Sequence, residues 1–234
     1  MKSRPEAILS AWLWLVLPVL FLIFILAVII FFPSYIEPVI ERENGIVELG
    51  TTIVLLPGII FGICALRLRK SLPESWLAYW LLLIMLGSIY IAGEEISWGQ
   101  HLLQWGTPEY FQAINDQHET NIHNISSWFD QKPRVLLELW VLVGGVLFVL
   151  WRYIRKYEYS TNDWRAWFWP GLDCLPVALI AILIRWPERY QSIIGEWPLP
   201  VHVRFSEAQE FYFGCFLTIY LLSWYARLKQ MQDK

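Results

Sequence analysis

Charge is scarce in this sequence of 234 residues. Only 17% of the residues are Asp, Glu, Lys or Arg, whereas 56% are hydrophobic. Soluble domains carry roughly 25% charged residues. The net charge is −3, and the basic residues form short scattered clusters rather than a basic stripe. We therefore expect a mostly membrane-embedded chain that contacts membrane lipid and has no nucleic-acid partner.

Cysteine is also scarce, with three residues in the chain. Cys64, Cys174 and Cys215 all fall inside apolar runs, and their spacing makes no metal motif. We expect them to be buried small hydrophobic residues without a disulfide framework. No soluble domain of ordinary size fits between the apolar runs.

Long apolar runs dominate the sequence instead. A run of about 18 or more apolar residues with few charges predicts a transmembrane helix. The first run is longer than the hydrophobic part of a signal peptide and ends in Phe-Phe-Pro without a cleavage site, so we expect it to be retained. The chain is predicted to be all-α, a single transmembrane domain (1–234) of about six helices with a short helical capping segment, 94–134, on the non-cytoplasmic face. The predicted helices are roughly 9–32, 45–66, 74–93, 135–154, 169–186 and 205–226.

The orientation follows from the basic residues near the helix ends, because cytoplasmic loops are enriched in Lys and Arg. Clusters of basic residues occur at both termini and in the 67–70 and 152–165 loops. The 33–44 and 94–134 loops are acidic on balance, whereas the 187–204 loop fits least well because it carries Arg189 and Arg204. We predict a bacterial inner-membrane protein with both termini in the cytoplasm.

This topology brings acids and histidines from distant parts of the chain to one membrane face. In a bacterium that face would be the periplasmic one. The residues predicted to lie there are His101, His118, His123, His202, Glu48, Glu94, Glu95, Glu119, Glu207 and Glu210.

The segment 93–101, at the end of the third apolar run, holds the strongest catalytic candidates. If the helix continues past Gly93, then Glu94, Trp98 and His101 share one helical face, with Ser97 beside it. Acidic residues at a helix C-terminus oppose the helix dipole, and carboxylates near the hydrocarbon boundary are usually functional. We therefore expect catalytic groups among Glu94, Glu95, Ser97 and His101. A glutamate pair can also act as acid and base without a metal.

A second segment, 118–124, holds candidate metal ligands. Glu119 and His123 are four residues apart and can bind one ion together on a helix. His118 and His123 are five apart, about 140° around a regular helix, so both cannot be ligands there. The segment therefore departs by one residue from the zinc-protease pattern H-E-x-x-H.

The start of helix six adds two more acids. Glu207 and Glu210 share a helical face, and His202 lies just upstream. A structural alternative exists for Glu207, because residues 206–209 match a capping box and an acid in the first turn favours the helix dipole.

Histidine and carboxylate together suit a divalent transition metal, and we expect zinc before iron or manganese. Such an ion would lower the pKa of a bound water to about 7. The candidate metal ligands are His101, His118, Glu119, His123, His202, Glu207 and Glu210.

The run 93–100 (GEEISWGQ), followed by 107–109 (TPE) and 115–124 (NDQHETNIHN), resembles a family of uncharacterised bacterial integral membrane proteins. The segment 43–48 (ENGIVE) is similar to that family's acidic lead-in to helix two. The acid-rich start of helix six also fits. The resemblance implies a multi-helix bacterial membrane protein and brings no established activity.

The chain also resembles, more distantly, the alkaline ceramidase-like membrane hydrolases, which place Glu, Ser, Asp and His around zinc near helix ends. That resemblance implies such parts for Glu48, Ser97, His101 and His202. The late paired histidines of those hydrolases are absent from helix six, so the sequence departs from their pattern at the zinc site.

Two functional hypotheses follow. The first is a metal-assisted hydrolase or transferase that acts on a lipid or lipid-linked substrate at the periplasmic face. The second is a non-catalytic membrane subunit or scaffold of an envelope assembly, or a small transporter. The centres of the six apolar runs are almost uncharged, which counts against transport but not against a scaffold.

Overall fold

A computed structural model describes residues 6–42, 45–110, 127–199 and 201–233, with side chains left out at 101–102 and 127–131. The described chain is helical and contains no strand, so the predicted all-α fold is confirmed for these residues. The fourth helix, α4, comprises three consecutive segments, Ser127–Trp140, Val141–Phe148 and Val149–Arg155. The other main helices are α1 (Trp12–Phe31), α2 (Ile46–Arg67), α3 (Trp76–Glu95), α5 (Leu175–Leu183), α6 (Trp186–Ile194) and α7 (Ser206–Gln232).

Five helical stretches of the described chain are long and apolar enough to cross a membrane. They are Trp12–Phe31, Ile46–Arg67, Trp76–Glu95, Lys132–Arg155 and Arg165–Ile194. Large apolar side chains point away from the bundle along these stretches: Ile30, Ile53, Leu83 and Leu147 are each more than half exposed. Lipid tails can cover such faces, whereas in water the protein would expose a large apolar surface to solvent.

Helix α7 is not among the five, although its 27 residues extend about 40 Å. Residues 211–221 of this helix are all buried, including Tyr212, Thr218 and Tyr220. The other helices surround α7, so protein rather than lipid contacts its side chains. A helix surrounded by protein can carry hydroxyl and aromatic side chains whose polar groups would be costly against lipid. These side chains lower the mean hydropathy of α7.

Small residues allow α2 to pack closely against α7. A Cβ added at Gly58 would lie 2.6 Å from Oγ1 and 2.8 Å from Cα of Thr218, so the two backbones nearly touch there. One turn further along α2, Gly62 faces Leu221. This small-x-x-x-small spacing is typical of close helix pairs in membranes. The Thr218 hydroxyl also donates to the Val54 carbonyl over 2.7 Å.

Helix boundaries differ from the predicted ones where amphipathic segments extend an apolar run. Helix α4 begins at Ser127, before the predicted start near residue 135, and α6 occupies part of the predicted 187–204 loop. Both segments mix charged and apolar residues, so hydropathy alone assigns them to loops. Pro187, in the first turn of α6, is a helix-start signal that the prediction did not use.

The cysteines are free, as predicted from their positions. Cys174 and Cys215 are buried, and Cys64 is half-buried on α2. They pack as small apolar side chains within or beside the helices.

Candidate carboxylate site

Three glutamates from two helices meet at one end of the bundle. Glu95 ends α3, whereas Glu207 and Glu210 lie in the first turns of α7. One carboxylate oxygen from each residue lies within 4.8 Å of the other two, and all three side chains are half-buried. The predicted pairing of Glu207 with Glu210 on one helical face is therefore observed, and Glu95 joins them from a neighbouring helix.

The charges in this cluster act on one another. The carboxyl groups of Glu95 and Glu210 are within hydrogen-bonding distance. The charge of Glu48, in the first turn of α2, acts on both Glu95 and Glu207. Close carboxylates repel one another in a partly buried setting, so the arrangement favours binding of a cation or retention of a proton.

Arg134 holds one edge of the cluster. Its guanidinium forms an ion pair with Glu210 at 2.7 Å and donates to the Ser206 carbonyl and the Gln209 side-chain oxygen, both at 3.2 Å. Gln209 is fully buried and donates to the Ala181 carbonyl over 3.0 Å. Arg134 and Gln209 therefore fix the start of α7 against α4 and α5.

Sequence reasoning missed both residues. Arg134 precedes an apolar run and resembles an ordinary flanking basic residue. Gln209 was assigned only to a capping box.

The capping box predicted at residues 206–209 is not formed, whereas Glu207 does lie in the first turn of α7, where an acid favours the helix dipole. Helix α7 begins without a side-chain capping bond, and Gln209 turns to other partners. The Ser206 hydroxyl instead donates to Glu207 itself over 3.2 Å. Glu207 is therefore available to the carboxylate cluster.

Two further ion pairs lie at the same end of the bundle. Arg185 pairs with Glu188 at 2.5 Å, and the other Glu188 oxygen accepts the Phe205 amide at 2.6 Å. Arg189 pairs with Glu138 on α4. Glu138 thus pairs with Arg189, one of the two basic residues that made this loop the weakest evidence for the predicted orientation.

The segment 93–101 does not continue α3 as a regular helix. After Glu95 the chain makes a left-handed turn, with φ of 45° at Ser97, 54° at Trp98 and 88° at Gly99. Residues other than glycine rarely adopt positive φ, so this turn is strained. The condition for one shared face of Glu94, Trp98 and His101 is therefore not met.

The turn gives Glu94 and Glu95 different partners. The Trp98 indole folds back and donates to the Glu94 carboxylate over 2.6 Å. A Cβ added at Gly93 would lie 2.9 Å from three Trp98 ring carbons, so only glycine leaves room for the indole. Glu94 is buried beside this ring, whereas Glu95 reaches the carboxylate cluster.

Ser97 and His202, whose side chains the structure describes, are not part of the three-carboxylate group. Ser97 is buried within the left-handed turn. His202 is exposed, and its ring stacks on Trp197 with 4.3 Å between centroids. His118, Glu119 and His123 lie outside the described residues, as does the side chain of His101, so their predicted roles as ligands stay predictions.

Comparison with models of protein families, with curated proteins and with solved structures finds no match. The family resemblances drawn from the sequence motifs therefore stay predictions, and functional inference rests on the geometry of the site.

The donor set of the cluster fits a divalent cation. Three carboxylate oxygens within 4.8 Å of one another can approach a single ion. Oxygen ligands alone suit magnesium, calcium or manganese, whereas zinc prefers nitrogen or sulfur ligands as well. The preference for zinc in the sequence-based prediction depends on histidines. His202 is not in the cluster, and the other three histidine side chains lie outside the described residues.

Proposed function

We propose that the protein is a metal-assisted hydrolase or transferase of the bacterial inner membrane. It acts on a lipid or lipid-linked substrate at the periplasmic face, and Glu95, Glu207 and Glu210 hold a divalent cation there. The observation that carries this proposal is the convergence of their three carboxylates within 4.8 Å.

We infer a sixth crossing by α7, which would place the site at a membrane surface. The stretch of α7 between Glu210 and Arg227 is uncharged. The two residues are 17 positions apart, which corresponds to about 25 Å along a helix. A bilayer core is about 30 Å thick. The acids at the start of α7 then lie at one membrane surface and Arg227 at the other. Basic loops flank the Arg227 end, which favours the cytoplasm for that side.

The roles of the chain's own residues follow from their contacts. Glu95, Glu207 and Glu210 supply the ion's protein ligands. Arg134 is a positioning residue, because its bonds to Glu210 and to the Ser206 carbonyl fix the start of α7. A divalent ion held there would supply a bound water that is nucleophilic at neutral pH.

Metal analysis of the purified protein tests the proposal. Wild-type protein should retain close to one equivalent of a divalent ion, and Glu95→Gln should lower the affinity at least ~10-fold, since even residues behind a ligand contribute ~10–100-fold. Glu94→Gln is the matched control, because a glutamine oxygen can still accept the Trp98 indole. His123→Ala tests the predicted histidine ligand in the same assay.

Three results bear on the proposal in opposite directions. Loss of metal in Glu95→Gln with retention in Glu94→Gln supports it. Equal retention in both variants, or a wild-type protein that binds no divalent ion, contradicts it. Hydrolysis of lipid-linked esters or phosphoesters by the metal-loaded protein is the test of the reaction class.

One observation favours the alternative, a non-catalytic membrane subunit or scaffold. The pairs Arg134–Glu210 and Arg189–Glu138 join α4 to α7 and α6 to α4, and Arg185–Glu188 closes the start of α6 at this end. A scaffold predicts that Arg134→Gln destabilises the protein while a chelator leaves its unfolding temperature unchanged. The metal-site proposal predicts that the chelator lowers that temperature.

A further inference from the structure

Two buried arginines lie at the end of the bundle opposite the carboxylate cluster. Arg152 on α4 is 6% exposed and Arg227 on α7 is 9% exposed. Glu207 and Arg227 are 20 positions apart on one helix, about 30 Å, so the two regions are distinct. The like charges of Arg152 and Arg227 are close enough to act on each other. Burying two such charges together is costly unless an anion neutralises them.

Protein partners satisfy this pair only in part. Arg227 donates to the Ala166 carbonyl and, over 3.1 Å, to the Ser223 hydroxyl. The Nε atoms of both arginines are buried and have no hydrogen-bond partner within the part of the chain that the structure describes. The guanidinium of Arg152 lies 5.2 Å from the centroid of the Tyr159 ring, a cation–π contact that supplies no lone-pair acceptor.

Two acids act on these arginines, and one of them is exposed. Asp173 is buried and acts on Arg227, but its oxygens accept the backbone amides of Ile8 at 2.9 Å and Leu9 at 3.4 Å. Glu158 acts on Arg152 and is exposed to solvent.

Asp163, the other acid in this region, forms an ion pair with Arg165. Hydrogen bonds from the Arg165 side chain hold the pKa of the Asp163 carboxyl below its usual value. Among the described residues, the two buried arginines face one buried acid, Asp173.

We propose that Arg152 and Arg227 form a binding site for a phosphate-bearing anion, either a lipid headgroup or a free phosphate. Arginine donors match phosphate oxygens in geometry and are favoured for this purpose. Basic pockets between transmembrane helices at the membrane surface bind anionic headgroups. This site goes beyond the proposed function and does not depend on it.

The test compares the full-length protein in nanodiscs of phosphatidylglycerol and of phosphatidylcholine, the latter with and without inorganic phosphate. Native mass spectrometry counts retained lipid or phosphate, and a titration gives the affinity. Arg152→Gln should weaken binding ~10-fold or more, the range of one or two charge-assisted hydrogen bonds. Arg155→Gln removes the same charge from the exposed end of the same helix and should change the affinity less than twofold.

The outcomes are distinct. Retention of phosphatidylglycerol alone assigns the site to a headgroup, and retention of inorganic phosphate in neutral lipid assigns it to the free ion. Retention of neither, or equal losses in Arg152→Gln and Arg155→Gln, overturns the proposal. If Arg152→Gln does not fold, Arg152→Lys keeps the charge but loses the paired donors, and an undiminished affinity in that variant also overturns it.

Discussion

Gly93, Glu94, Glu95 and Trp98 show how neighbouring residues of one motif divide between structure and function. Gly93 leaves room for the Trp98 indole, and Glu94 accepts its N–H over 2.6 Å. These three residues stabilise the left-handed turn that ends α3. Glu95 is thereby directed to the carboxylates of α7. The strained turn therefore directs the side chains of the two adjacent glutamates to different partners.

Gly93→Ala should destabilise the protein by about 1–3 kcal/mol, the usual range for overpacking. The new methyl group would lie 2.9 Å from three ring carbons of Trp98 and would displace the indole from Glu94. Gly87→Ala on the same helix is the control, because no atom lies within 4 Å of the added Cβ. The measurement is thermal unfolding in detergent, and equal unfolding temperatures for the two variants would refute the packing argument.

The sequence pointed to the three acids of the proposed site but not to the residues that position them. Glu95 was predicted as a catalytic residue because carboxylates near the hydrocarbon boundary are usually functional, and Glu207 and Glu210 were predicted as metal ligands because they share a helical face. The separation of Glu94 from Glu95 was not predicted, since it depends on three consecutive positive φ angles. Arg134 was missed because its importance comes from contacts with α7, which is distant in the chain.

At the scale of elements, the buried helix α7 organises the bundle. Its fully buried stretch carries polar and aromatic groups that find partners on other helices. The Tyr220 hydroxyl accepts the Trp80 indole N–H at 2.8 Å and lies 2.9 Å and 2.8 Å from the carbonyls of Trp167 and Phe168. The Tyr212 hydroxyl donates to the Pro18 carbonyl over 2.9 Å. Helix α7, the last helix of the described chain, is therefore bonded to α1, to α3 and to the segment that precedes α5.

Close packing between α2 and α7 predicts that alanine substitution destabilises the protein at one glycine of α2 and has little effect at another. Gly58→Ala should destabilise the protein by about 2–3 kcal/mol, because the Thr218 backbone cannot move away. Gly62→Ala should change stability by less than ~0.5 kcal/mol, since its Cβ would meet flexible ends of Leu221 and Met85 at 3.4 Å. Unfolding by denaturant in mixed micelles measures both, and similar losses would contradict this packing.

Element boundaries were predictable only where apolar runs end sharply. Helix α2 was predicted at 45–66 and is observed at Ile46–Arg67, because basic residues follow its apolar run. Helix α6 was predicted as loop because its alternating charged and apolar residues do not raise the hydropathy. Amphipathic helices of this kind can be assigned only from their contacts with the rest of the bundle.

At the scale of the whole molecule, two charged regions lie at opposite ends of an apolar bundle. One contains the glutamates of α3 and α7, and the other contains Arg152 and Arg227. Their separation of about 30 Å along α7 matches the thickness of a bilayer core. Each region therefore lies at one membrane surface in the proposed arrangement.

The proposed orientation predicts which loops a polar reagent reaches. Ser75→Cys, before α3, should be protected from a membrane-impermeant maleimide in right-side-out spheroplasts, whereas Gly106→Cys should be labelled. Both positions are exposed, and a Cβ at Gly106 meets no atom within 4 Å. The unsubstituted protein is the blank, and permeabilised spheroplasts should label both variants. The reverse pattern would invert the topology, and equal labelling of both would contradict a crossing by α3.

The most direct test of the metal-site proposal is a structure determined by anomalous X-ray diffraction from crystals grown with Mn²⁺. We predict one anomalous peak about 2.0–2.6 Å from carboxylate oxygens of Glu95, Glu207 and Glu210. The same peak should be absent from crystals of Glu95→Gln. An intact cluster without a peak, or a peak that remains in Glu95→Gln, would contradict the proposed metal site.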